Sequence, residues 1–191
     1  MGEFNVKQEF TPEDLRTFVK YLLRDLHAIE EMLRRGLFES DICRIGAEQE
    51  MFLVDRQRRA APNAVAILAD NTNPYIVPEL ARFNLEFNAD PHVFTGDCLS
   101  RLEKSLTETL LYTREIAAVH DTDVVMVGIL PTLVKTDLTL DNMMPVPRYF
   151  ALNETLTRMR GGDYEFRIKG TDELLLRHDS MMVEACNTSF Q

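Results

Sequence analysis

The sequence predicts an α+β fold. Helix-spaced apolar residues fill a long stretch near the start, and two later segments look like strands in which acidic residues interrupt apolar ones. Helices and strands then follow one another without a regular parallel βαβ repeat.

The first element is an amphipathic helix over residues 11–36. Thr11 can cap it, Pro12 suits the first helical position, and Glu13 and Asp14 complement the N-terminal dipole. Leu15, Phe18, Val19, Leu22, Leu23, Leu26, Ile29 and Leu33 fall on one face, which is expected to join the core. Arg34, Arg35 and Gly36 suit the stop.

Residues 43–54 read as a strand. Alternation separates Ile45, Ala47, Gln49, Met51 and Leu53 from Gly46, Glu48, Glu50, Phe52 and Val54. Residues 55–78 read as loop, with Asn71 to Pro74 as a cluster of breakers. Residues 81–88 read as a second strand, with Phe83, Leu85 and Phe87 on one face and Arg82, Asn84, Glu86 and Asn88 on the other. Such a polar face suits the active-site side of a sheet.

Thr95-Gly96-Asp97 opens a long helix reaching about Val119, with Leu99, Leu102, Leu106, Leu110 and Ile116 inward. Val124 to Leu130 reads as a short buried strand ended by Pro131, and Leu133 to Met144 as loop. A helix over Pro147 to Arg160 stops at Gly161-Gly162. Residues 163–169 alternate as a half-buried strand, and residues 181–191 begin another.

The bulk composition bounds the function. A chain of 191 residues with 45% apolar content can bury a core. A formal net charge of -10 disfavours nucleic acid or an anionic membrane as the main partner. Cys43, Cys98 and Cys186 are far apart and form no CxxC pair, so reduced thiols in a cytoplasmic protein are expected. The N-terminus lacks the basic and apolar regions of a signal peptide, and no apolar run is long enough to span a bilayer.

The chemistry points to the acids. Glu48 and Glu50 lie two apart on a strand, so both project from one face about 6.5–7 Å apart. Burying such groups alone is unfavourable, whereas sharing a hard cation is favourable. The alternative is that both face solvent on an edge strand. There is no GxxxxGK[ST], no GxGxxG after a strand and no HExxH. His178-Asp179-Ser180 holds the residue types of a hydrolase triad, but adjacent positions cannot form that geometry. His27 and His120 read as ordinary helix residues, and Cys186 as packing. Arg148-Tyr149, at a helix start, could meet an anionic substrate or simply pack on the surface.

Four ordered blocks carry a family resemblance. Ile45-Gly46-Ala47-Glu48-Gln49-Glu50-Met51-Phe52-Leu53-Val54-Asp55 resembles the first strand of the glutamate–cysteine ligase type 2, or carboxylate–amine ligase, family. Glu79-Leu80 through Leu85-Glu86-Phe87-Asn88 and Pro91 resembles its next acidic strand. Met144-Pro145-Val146-Pro147-Arg148-Tyr149 is similar to its Met-Pro…Arg-Tyr segment, and Cys186 to Gln191 to the start of a strand that runs on to a His or Asn ligand.

The resemblance implies a glutamine synthetase-like fold: a curved, largely antiparallel sheet as active-site floor, with helices on its other face. It implies that ATP phosphorylates a carboxylate, commonly the γ-carboxylate of glutamate, and that an amine, commonly that of cysteine, displaces phosphate to give an amide. By position, Glu48, Glu50, Glu79 and Glu86 would be ligands of Mg2+ (or Mn2+), and Arg148 a substrate contact. No other catalytic residue is implied. Expected partners are therefore small molecules: ATP, a glutamate-like carboxylate and an amino-acid amine.

The family pattern is about twice this long, so residues 1–191 are expected to be the N-terminal part of one catalytic domain, inactive alone. A bare edge at the last strand could then drive self-association. The competing expectation is a non-catalytic ligand-sensing or scaffold domain that retains the fold. The sequence does not identify the amine.

Overall fold

The computed structural model describes Val6 and residues 11–162, 164–171 and 173–178. Helix α1 spans Pro12–Arg34. The Asp14 N–H donates to the Thr11 hydroxyl at 3.2 Å and the Thr11 N–H donates to Asp14 Oδ2 at 2.7 Å, a reciprocal cap. Gly36 follows at φ 64°. The expected burial of its apolar stripe does not occur, and no residue of α1 is buried. Its cap and its Glu13–Arg16 and Glu31–Arg34 pairs support the helix locally. An exposed segment, residues 35–43, leads away from it. Helical spacing defines a common face but not what covers it.

The predicted strand over 43–54 divides. β1, Arg44–Ile45, pairs with β5, His92–Val93, while β2, Glu48–Val54, enters the central sheet. That sheet has the order β3-β4-β2-β6, with β3 at Ile76–Pro78, β4 at Asn84–Asn88 and β6 at Asp123–Val125. Every pairing in it is antiparallel. Pro78 is compatible with β3 because β3 is an edge strand. The region expected to be loop thus holds β3 and also α2, Ala64–Asp70. Seven residues between Asn63 and Asn71 are too few to show a helical period, although Ala64 and Ile67 are buried.

Helix α3, Cys98–Ala118, buries Leu102, Thr109, Thr113 and Ala117, while Leu106, Leu110 and Ile116 pack against the core. Leu99, expected inward, is exposed, although it lines the rim of the same cavity as Gln49, and Cys98 is buried in its place. Leu102, Leu106 and Leu110 wall a cavity with Gln49, which puts α3 on the sheet face of Gln49, Met51 and Leu53. His120 lies just past α3 rather than within it. Its Nε2 is 2.8 Å from Asp70 Oδ2, and the Thr72 N–H donates to Tyr112 Oη at 2.8 Å, so α2 is tied to the same side. His27 is an exposed α1 residue beside Glu30.

The apolar run from Val124 leaves the sheet after Val125, yet Leu130 is still buried. Residues 133–144 form two single 3-10 turns, and Met143 and Met144 then enter the core. This strap runs along residues 80–82: the Met144 N–H donates to the Leu80 carbonyl at 2.8 Å and the Arg82 N–H to the Asn142 carbonyl at 2.7 Å. It delivers α4, Pro147–Arg160, which ends on Gly161 in the left-handed region at φ 71°.

β7, Tyr164–Lys169, pairs with β8, Glu173–His178, as a separate hairpin. β8 goes unread in the sequence because Leu174-Leu175-Leu176 shows no alternation. The expected strand over 181–191, with Cys186 and Asn187, lies outside the described residues, as do Asp179 and Ser180. The core gathers around Met51, Phe52, Leu53, Phe83, Leu85, Ile67 and Val124. Phe52 and Phe83 stack with centroids 6.3 Å apart.

Candidate functional site

Residues directly opposite in an antiparallel pair point to the same face. Glu50 stands opposite Glu86, Glu48 opposite Asn88 and Phe52 opposite Asn84. The acids therefore occupy the sheet face turned away from α2 and α3. In β2 this face changes character along the strand: Glu48 is exposed and Glu50 half-buried, while Phe52 and Val54 are fully buried.

Glu79 follows directly on β3, whose Val77 pairs with Glu86. It therefore reaches the acidic face from a strand end, where alternation in the sequence could not place it. Burial pushes its carboxyl up to about 7. The Leu80 N–H, donating to Oε2 at 2.8 Å, opposes this, while the negative charges of Glu86 and Glu50 and a hydrogen bond with Glu86 add to it. Glu86 is further held by Asn88, whose Nδ2 donates to Oε1 at 2.6 Å.

Helix α4 closes one side of the site. Tyr149 is buried, and its hydroxyl donates to the Pro78 carbonyl at 3.2 Å, joining α4 to β3 one residue before Glu79. Burial, and then the Glu79 charge, push its phenol up to about 12. Arg148, its neighbour, enters the same space. A cavity of about 800 Å³ is lined by Glu48, Glu79, Glu86, Asn88, Arg148 and Tyr149, among others. Glu50 does not line it but acts electrostatically on Glu79. One helix thus lies on the acidic side, not all of them on the opposite face.

Among the described residues, no group of three or more His, Cys, Asp or Glu side chains is gathered closely enough to hold a metal ion as it stands. The donor chemistry nonetheless fits a hard divalent cation. The donors are all oxygens, and Glu50, Glu79 and Glu86 repel one another in a partly buried place where added positive charge would relieve them. Asn84 contributes a further oxygen: it is buried on the same face, and its Oδ1 has no hydrogen-bond partner among the described residues. Sequence reasoning placed Asn84 on the polar face but did not foresee its burial. The Tyr149–Pro78 bond was also missed, since only the tertiary fold brings residues 71 apart together.

An antiparallel sheet with an acidic, cavity-lined face and helices behind it suits an enzyme that handles charged small molecules, and comparison with protein families narrows the class to carboxylate–amine ligases. The chain belongs to glutamate-cysteine ligase family 2 (GCS2), whose model matches residues 44–182. The match covers strands β1–β8 and helices α2–α4. Members of such ligase families generally use ATP and Mg2+ and act on small molecules. Comparison with curated proteins and with solved structures gave no match. No helix among the described residues is long and apolar enough to cross a membrane.

Proposed function

We propose that this protein is an ATP-dependent ligase that joins a glutamate-like carboxylate to an amino-acid amine, forming a γ-glutamyl amide. The carrying observation is that Glu48, Glu79, Glu86 and Arg148, from separate elements, line one cavity in a chain of this family. Glu48, Glu50, Glu79 and Glu86 would hold Mg2+ or Mn2+. When bound, the cation supplies neutralisation of phosphate charge and alignment of the transfer. Arg148, at the start of α4, is suited to orient an anionic group by charge-assisted hydrogen bonds. Tyr149 positions it by fixing α4 to the Pro78 carbonyl.

In the reaction a substrate carboxylate oxygen attacks the γ-phosphorus of ATP, and ADP leaves. The amine nitrogen then attacks the acyl carbon, phosphate leaves, and the nitrogen loses a proton to give the amide. The face opposite α2 and α3 would present its carboxylates, together with Arg148 of α4, to these reactants.

The test is phosphate release by the full-length protein with ATP, Mg2+, glutamate and a panel of amines. Amine-dependent release that disappears in Glu86→Gln is the expected result. Binding of magnesium–ATP with no release for any amine would instead indicate a ligand-sensing domain.

A further inference from the structure

Helix α1 carries a feature that the ligase reading leaves unused. Leu15, Val19, Leu22, Leu26, Ile29 and Leu33 recur at alternating steps of four and three, the heptad spacing of a helix that packs along another. All six are exposed, at 45–63% of their full surface. The flanking positions continue the strip. Phe18 and Met32 lie along one edge and Leu23 along the other, and all three are exposed. The charged flanking residues are Arg16 and Glu30 beside Leu23, and Asp25 between Phe18 and Met32.

We infer that α1 pairs antiparallel with α1 of a second copy of this chain. With the two helices centred near Arg24, Leu15 meets the partner's Leu33, Val19 the partner's Ile29, and Leu22 the partner's Leu26. The edges then match: Leu23 meets its own copy, Phe18 meets the partner's Met32, and Arg16 meets the partner's Glu30. Twofold symmetry makes the Arg16–Glu30 contact twice, against one like-charged meeting of Asp25 with itself. A parallel pair would set Asp25 against the partner's Glu30 twice and give Arg16 no acidic counterpart on that edge. Charge complementarity therefore fits a second copy and sets its direction, and opposed helix dipoles favour the same arrangement. Arg16 now holds Glu13 at 2.6 Å and Glu30 lies beside His27 at 3.3 Å, but all four side chains are at least 71% exposed and free to rotate toward a partner.

Sedimentation of the full-length protein across concentration tests this, with circular dichroism confirming that each variant is folded. Wild type should dimerise, and Leu22→Asp/Leu26→Asp should be monomeric. Arg16→Glu and Glu30→Arg should each weaken the dimer by about threefold to tenfold, and the double exchange should restore it. A monomeric wild type overturns the inference. So does a dimer that survives Leu22→Asp/Leu26→Asp, or a double exchange that is no tighter than the single variants. Phosphate release is not the readout, so this result stands apart from the ligase assignment.

Discussion

Glu50 of β2 and Glu86 of β4 stand directly opposite each other in the central sheet, two like charges at one register position on the face that bears the cavity. Like charges so placed weaken a strand pair. The sheet holds them because the far end of β2, Met51 to Val54, is buried and packed.

Replacing either acid by its amide should separate stability from activity. Glu50→Gln or Glu86→Gln should raise stability in urea without divalent cation by about 0.2–1 kcal/mol, since one repulsion is removed. The same variants should lose at least about a hundredfold in amine-dependent phosphate release if they hold the cation. Loss of stability together with activity would point to a structural role.

Stability should also depend on pH through Glu79. Its folded-state pKa is raised from 4.5 to about 7, so the folded chain binds this proton more tightly than the unfolded chain does. Stability from this group is therefore full below pH 4.5 and declines as pH rises toward 7, by on the order of 3 kcal/mol at most. Urea unfolding of wild type and Glu79→Gln between pH 4.5 and 8, without divalent cation, measures it. Parallel curves for the two proteins would refute the assignment.

Divalent cation should reverse that decline. At pH 8, millimolar Mg2+ or Mn2+ should raise the melting temperature of wild type, because a ligand bound only by the folded state stabilises it. Glu50→Gln/Glu86→Gln should respond much less. An equal response in both proteins would place cation binding elsewhere.

Arg148→Ala should act on substrate binding. Charge-assisted hydrogen bonds of about 1.5–3 kcal/mol correspond to roughly a tenfold to hundredfold rise in KM for the anionic substrate it holds. Steady-state kinetics that vary ATP and the carboxylate separately would identify which one. An unchanged KM for both would remove Arg148 from the site.

Tyr149→Phe should cost about 1 kcal/mol of stability by removing the bond to the Pro78 carbonyl. If the bond positions α4, KM should rise in the same direction as in Arg148→Ala, with a smaller change in kcat. A stability loss with KM untouched would leave Tyr149 as packing alone.

Much of the acidic face was legible because acids in an alternating apolar strand declare a side. Glu48, Glu50 and Glu86 were readable on that ground. Glu79 had no such pattern behind it, because it follows a three-residue edge strand that contains proline and precedes the alternating segment. Helices α3 and α4 announced themselves through period and punctuation, whereas α2 was too short to show a period. In α1 the periodicity correctly gave the helix and its stripe, but burial depends on partners that spacing does not encode. The strap over residues 142–144 was invisible for a related reason: its backbone bonds to residues 80–82 join segments some sixty positions apart.

Strand β2 passes within seven residues from open acids to a fully enclosed apolar end. Its two halves should therefore answer to different selection. A deep mutational scan that scores cellular abundance should find polar substitutions damaging at positions 51–54 and largely tolerated at 48 and 50. A scan that scores turnover should reverse the contrast at 48 and 50. The acid-bearing end would then be held by turnover and the buried end by folding, two constraints meeting within one strand.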